Sequence, residues 1–239
     1  ESIGDEFQYT VKGPRTAAMT HIVADVKNGT ILVDKNATST RPVASLTKLV
    51  TALVVIEHFN LDRSILITDE MIVTTTLARL KVGQSYTVHD LLILMLTESS
   101  NEAAEAFAVN YGRQRFIGLM NSKAASIGMH DSTFADPSGL HDGNISSPED
   151  IFTLLKYIYE NRRFVFDITA DTLTNDAYGE VVFGELGNFN KVPGVENRFI
   201  GGKIGKTDAA QETWASTSCT STCTSRSPAA PSRFMCCVI

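Results

Sequence analysis

The sequence predicts an α/β fold of the α+β kind, on three observations. An Asn28-Gly29 pair separates two apolar, β-branched runs near the start, a strong short-range signal for an antiparallel hairpin. Several segments between Leu49 and Asn161 carry helical signals, in apolar spacing, caps or stops. Late in the chain, Phe199 to Thr207 is an apolar stretch punctuated by glycines, which fits a strand that something approaches closely. The 239 residues suffice for one large domain or two small ones, and 43% hydrophobic with 20% charged residues is ordinary for a globular chain. A net charge of −6 with no clustered basic face speaks against nucleic-acid binding. No apolar run reaches the roughly 18 residues of a membrane span.

Taken in order, residues 1–15 are polar with Gly4, Gly13 and Pro14 and read as a loose lead-in. Ala17 to Val26 and Thr30 to Val33 are the hairpin strands. A polar loop, Asp34 to Arg41, leads to Pro42. The apolar run Leu49 to Glu57 has no internal Gly or Pro and reads as a helix that Ser45 opens. Residues 60–88 predict small strands and turns, at Ile65 to Thr68 and Ile72 to Thr76. Thr87-Val88-His89-Asp90 resembles a capping box before the fully apolar Leu91 to Leu96, so that helix should be buried. Thr97 to Asn101 interrupts it, and a second helical segment runs from Glu102 to Tyr111 and stops at Gly112. Phe116 to Ile127 has helical spacing and ends at Gly128. After a loop over 129–146, Ser147-Pro148-Glu149-Asp150 starts a helix, with Ser as cap, Pro at the first position and acids in the first turn. Residues 164–198 read as irregular. From Ala215 to Ile239 the chain is mostly Ser, Thr, Cys, Pro and Ala, and no structure is expected of it. All four cysteines (Cys219, Cys223, Cys236, Cys237) fall there, and a cysteine-free body suits an exported bacterial enzyme. The first residue is Glu1, which leaves room for an export signal removed upstream.

Chemistry enters with Ser45 and Lys48. On a helix, positions three apart share a face, so hydroxyl and amine can touch. A serine at a helix N-terminus also sits where free N–H groups and the dipole favour developing negative charge. A nucleophile beside an amine base is a workable acylation site, although S-x-x-K alone fits a capping serine and a surface lysine equally well. Ser99-Ser100-Asn101 adds polar groups at a break in a buried helical region, where they must find partners or simply form an interhelical turn. Lys203-Ile204-Gly205 sits on the late strand, where a lysine also serves to protect an edge.

In this order, S-x-x-K, S-x-N and K-x-G resemble the motif set of the penicillin-recognising serine acyl-transferases. More narrowly, the chain resembles the D-alanyl-D-alanine carboxypeptidases among the low-molecular-mass penicillin-binding proteins. The resemblance rests on Arg41 to Leu49, Met95 to Ala104, Pro137 to Leu140 and Gly201 to Asp208, and spans residues 16–214. It implies an antiparallel sheet covered by helices on both sides, with an all-helical region carrying Ser99 and Asn101. It also implies roles. Ser45 attacks the carbonyl of the penultimate D-Ala. Lys48, neutral through burial and a neighbouring Lys203, is the general base. Ser99 relays the proton to the leaving D-Ala. Asn101 holds the substrate amide and orients Lys48. Lys203 attracts the terminal carboxylate, with Gly205, Lys206 and Thr207 completing the substrate-binding strand. The N–H groups of Ser45 and Lys206 form the oxyanion hole. The implied partners are a peptidoglycan stem peptide ending in D-Ala-D-Ala and β-lactams that acylate Ser45. The implied place is outside the cytoplasm, and neither cofactor nor metal is called for.

Two departures from that pattern stand out. Ile204 occupies the position of a threonine whose hydroxyl helps bind the carboxylate. The segment 215–239 shows no apolar alternation until the short run Phe234 to Ile239, where two strands are expected in the middle of the sheet, which predicts a frame change or spliced tail near Ser216 and a sheet missing its centre. A class A β-lactamase is the neighbouring enzyme alternative, with Glu149 the nearest candidate for a deacylating acid. A catalytically weak protein that binds wall peptides is the non-enzyme alternative. Three patterns carry no weight. Gly201 to Thr207 is one residue short of a P-loop and has no helix behind it. Cys236-Cys237-Val238-Ile239 matches a prenylation pattern by accident. The five histidines have no metal-ligand spacing.

Overall fold

A computed structural model describes residues 18–173, 182–191, 198–219 and 233–238. The expected lead-in, 1–15, lies outside them. The chain opens with β1 (His21–Asp25) and β2 (Ile31–Lys35), paired antiparallel around Asn28-Gly29 as expected. Gly29 takes the left-handed φ of 78° that such a turn requires, and its N–H donates to the Asp25 carbonyl at 2.8 Å.

Next come β3 (Arg41–Pro42), a 3-10 turn over Ala44–Leu46 and α1 (Thr47–His58). Ser45 therefore lies in a tight turn that feeds the helix, not at the cap of the helix itself. β4 (Ser64–Leu66) and β5 (Ser85–Thr87) form a small hairpin, while Ile72 to Thr76 is not a strand. α2 (Val88–Thr97) starts as the capping box predicts, with the Asp90 N–H donating to Thr87 Oγ1 at 3.0 Å. It is buried along almost its whole length, as a helix apolar on every side must be. α3 (Asn101–Tyr111) is capped by Ser100, and α4 (Arg113–Ser126) follows directly. Together with α1 they form the helical region, packed around Leu53, Leu91, Leu94, Phe107 and Phe116.

β6 (Ile145–Ser146) pairs with β3, and α5 (Pro148–Asn161) begins at the Ser147 cap. A helix missed in the irregular stretch, α6 (Phe164–Thr169), packs against β7 (Phe199–Thr207). Its six residues are too few to show a helical period.

The sheet corrects the expectation for the end of the chain. β8 (Gln211–Cys219) and β9 (Arg233–Val238) complete five antiparallel strands in the order β2-β1-β9-β8-β7. The centre is filled, by a β8 without apolar alternation and a β9 whose run Phe234 to Val238 is apolar. Thr213, Ala215, Ser216 and Thr217 are buried in β8. Small and β-branched side chains fit a crowded pleated surface, and ladder pairing on both edges satisfies the backbone. α5 packs on β1, β9 and β8. Among the described residues no helix is long and apolar enough to cross a membrane.

Candidate active site

The turn that carries Ser45 is built by close backbone packing. Ala44 takes φ of 48°, a left-handed conformation that non-glycine residues rarely adopt and that costs energy unless the surroundings enforce it. Two glycines from distant segments press on that turn. A Cβ at Gly139 would lie 1.9 Å from the Ala44 carbonyl oxygen, and one at Gly205 would lie 2.7 Å from the Ser45 nitrogen. The Val43 N–H is held by the Asn144 carbonyl at 3.0 Å, and the Val43 carbonyl accepts from Thr213 Oγ1 at 3.2 Å. Ser45 is thus fixed from the loop before β6 and from the sheet.

Lys48 lies in the first turn of α1 and is fully buried. Its Nζ reaches Ser45 Oγ at 3.0 Å, Asn101 Oδ1 at 2.7 Å and the Ser138 carbonyl at 2.6 Å. Burial lowers its pKa to about 7, partly offset by the charge of Asp136. Near neutral pH a large share of Lys48 is the free amine that a base requires.

Asn101 has its orientation imposed. Its Nδ2 donates to the Thr74 carbonyl at 2.7 Å and its own N–H to Thr75 Oγ1 at 3.2 Å, which leaves Oδ1 for Lys48. Ser99, with φ of 60°, sits at the break between α2 and α3. The neighbouring Glu98 is buried and takes both donors of Arg79, at 2.9 and 2.6 Å, and the Gly187 N–H at 2.9 Å. This pins two loops over the break.

The opposite wall is β7, an edge strand of the sheet. Ile204 turns its N–H toward the open edge, where Asn190 Oδ1 lies at 3.4 Å, so by strand alternation Lys206 turns its N–H to the same edge. Lys203 is fully buried. Its Nζ donates to Asn190 Oδ1 at 3.2 Å and to the Ile204 carbonyl at 2.9 Å, and Asn190 in turn donates to the Leu96 carbonyl at 2.7 Å. Burial first, then the charge of Lys48, hold Lys203 well below the usual lysine range.

Between these walls lies a cavity of about 580 Å³. Of the residues singled out from the sequence, Ser45, Ser99, Asn101, Gly205, Lys206 and Thr207 line it. Lys48 is buried behind Ser45. Lys203 is brought near but does not line the cavity. Glu149 is exposed at the start of α5, away from it.

Four residues that matter here were not singled out. Asp136 accepts the N–H groups of Ser138 and Gly139, both at 2.6 Å, and of His141, forming the turn that offers the Ser138 carbonyl to Lys48. Burial pushes its carboxyl up, but these bonds outweigh that and hold it below the usual range. The Asp-Pro-Ser-Gly run carries a recognisable turn signal. Asn190, Thr74 and Thr213 act through contacts far apart in sequence and leave no local signature.

A family model described as D-alanyl-D-alanine carboxypeptidase matches residues 7–226. The chain belongs to that family. The match passes residue 214 and so takes in the rest of β8. The D-alanyl-D-alanine carboxypeptidase DacB2 of Mycobacterium tuberculosis is 30% identical over 211 residues, covering 84% of this chain and 70% of the relative. The D-alanyl-D-alanine endopeptidase of Pseudomonas aeruginosa is 35% identical over 139 residues, 56% of this chain and 45% of that protein. The chain spans about half the length of the endopeptidase relatives it matches. Among solved structures, penicillin-binding protein D2 of Listeria monocytogenes in its ampicillin-bound form superimposes with a TM-score of 0.75 at 27% identity, over 94% of this chain and 90% of that one. The D-alanyl-D-alanine carboxypeptidase of M. tuberculosis gives 0.78 at 26%, over 92% and 81%. The fold is that of the penicillin-binding proteins, with their β-lactamase-like architecture.

Proposed function

We propose that the chain is a serine-type D-Ala-D-Ala carboxypeptidase that releases the terminal D-alanine of peptidoglycan stem peptides outside the cytoplasm. The observation that carries this is the contact of a buried Lys48 amine, with its pKa near 7, with Ser45 Oγ at 3.0 Å. Lys48 takes the Ser45 proton as Oγ attacks the penultimate D-Ala carbonyl. The N–H groups of Ser45 and Lys206, brought together where Gly205 meets the turn, stabilise the oxyanion. Ser99 passes the proton to the departing D-alanine, and water then hydrolyses the acyl-enzyme. Asn101, Gly205 and Thr207 serve substrate binding, Asn101 also by orienting Lys48, while Lys203 is buried behind the cavity lining. A β-lactam acylates Ser45 by the same route. The position of Glu149, outside the cavity lining, favours slow deacylation over β-lactamase turnover.

Intact-mass measurement after mixing with benzylpenicillin, alongside D-alanine release from diacetyl-L-Lys-D-Ala-D-Ala, tests this. A lasting adduct on Ser45 with D-alanine release is expected. Rapid penicillin turnover would favour the β-lactamase alternative, and neither adduct nor release would leave a wall-peptide binder. Several relatives are named endopeptidases, so a cross-linked peptide belongs among the substrates assayed.

A further inference from the structure

Lys206 and Glu212 face each other across β7 and β8, and Ile204 and Trp214 are the adjoining pair. All four residues line the cavity. Lys206 is the one cationic residue among the described residues lining the cavity. Lys203, the cation that the motif nominates for the substrate carboxylate, is buried and donates to Asn190 Oδ1 and the Ile204 carbonyl. Ile204 adds hydrocarbon where a hydroxyl would help.

Resting on the carboxypeptidase reading, we propose that the Lys206 ammonium, not that of Lys203, binds the terminal carboxylate of the peptide and so sets the preference for free-acid ends. The partner that Lys206 has now is easily exchanged. Its Nζ lies 3.1 Å from Glu212 Oε1, with the two side chains 74% and 81% exposed. Ion pairs so exposed contribute little, because water screens them. A peptide seated along the open edge of β7 replaces that water. Lys206 then exchanges Glu212 for a carboxylate in a drier setting, where the same attraction is stronger.

The chain supplies its own reporter, since Trp214 is the single tryptophan and lines the cavity. In a Ser45→Ala background, which removes turnover, Trp214 fluorescence is titrated with diacetyl-L-Lys-D-Ala-D-Ala and with its C-terminal carboxamide. Binding of the acid is expected to be about fivefold tighter than of the amide, as one carboxylate contact of this kind supplies. Lys206→Gln should bring the two within about twofold, and Lys206→Arg should keep the preference. A Lys206→Gln protein that still prefers the acid, or a parent with no preference, overturns the proposal. Absence of D-alanine release by the Ser45-intact protein, with the binding preference present, would instead sink the carboxypeptidase reading.

Discussion

Raising the pH from 6 to 8 is expected to speed acylation of Ser45 about tenfold, because the base must be neutral before it can act. The perturbation is the proton on Lys48. With a pKa of about 7, the free amine makes up about a tenth of the population at pH 6, half at pH 7 and nine-tenths at pH 8. A lysine at its ordinary pKa would be neutral in about one molecule in three thousand at pH 7, so burial multiplies the usable base by roughly a thousand. The sign follows from the cause. Burial penalises the ammonium, the folded protein gives up this proton early, and activity is lost as the pH falls through 7. The assay is the pseudo-first-order rate of benzylpenicillin acylation by intact mass, from pH 5.5 to 9.5 at constant ionic strength. A rise that levels off by about pH 8.5 is expected. A rate still climbing tenfold per unit at pH 9 would mean an unshifted lysine, and a flat profile would mean that Lys48 is not the base. Either result refutes the reasoning.

Two further outcomes follow from the far wall of the cleft. Ile204→Thr restores a hydroxyl on the cavity lining and should raise kcat/KM for D-alanine release about fivefold, near 1 kcal/mol, the net worth of a typical hydrogen bond; no gain would mean that position 204 does not touch the carboxylate. Truncation after Cys219 removes β9, which pairs with β1 on one side and β8 on the other, and leaves two unpaired strand edges within the core sheet. The shortened chain should fail to give a cooperative melt by circular dichroism, and one that melts at the parent temperature would show that the segment after β8 is dispensable.

What the sequence shows plainly is what depends on neighbours in sequence. The Ser45 to Lys48 spacing survives the replacement of the expected helix start by a 3-10 turn, because three residues later is the same face in either geometry. The Asn28-Gly29 turn and the Thr87 and Ser147 caps are equally local. β8 was hidden for a different reason. Its buried positions hold threonine, serine and alanine, and its place is set by partners on both edges, a property that no reading of one segment contains.

The same distinction separates the candidate catalytic residues from what would make them work. Ser45 and Lys48 are visible as a pair, but a pair at an exposed helix start would be a hydroxyl beside a permanently charged amine. What changes Lys48 is burial, which outweighs the opposing charge of Asp136, while a carbonyl from Ser138, 90 residues on, holds the amine in place. Asn101 aims its oxygen at Lys48 because Thr74 occupies its nitrogen. Lys203 is turned inward by Asn190, a residue anchored to the end of α2. In each case the motif residue carries the reactive group, and an unremarkable residue elsewhere sets its protonation or direction. The motifs therefore name the candidate nucleophile and base, while the buried setting of Lys203 and the exposed one of Lys206 become visible only once the side chains are placed.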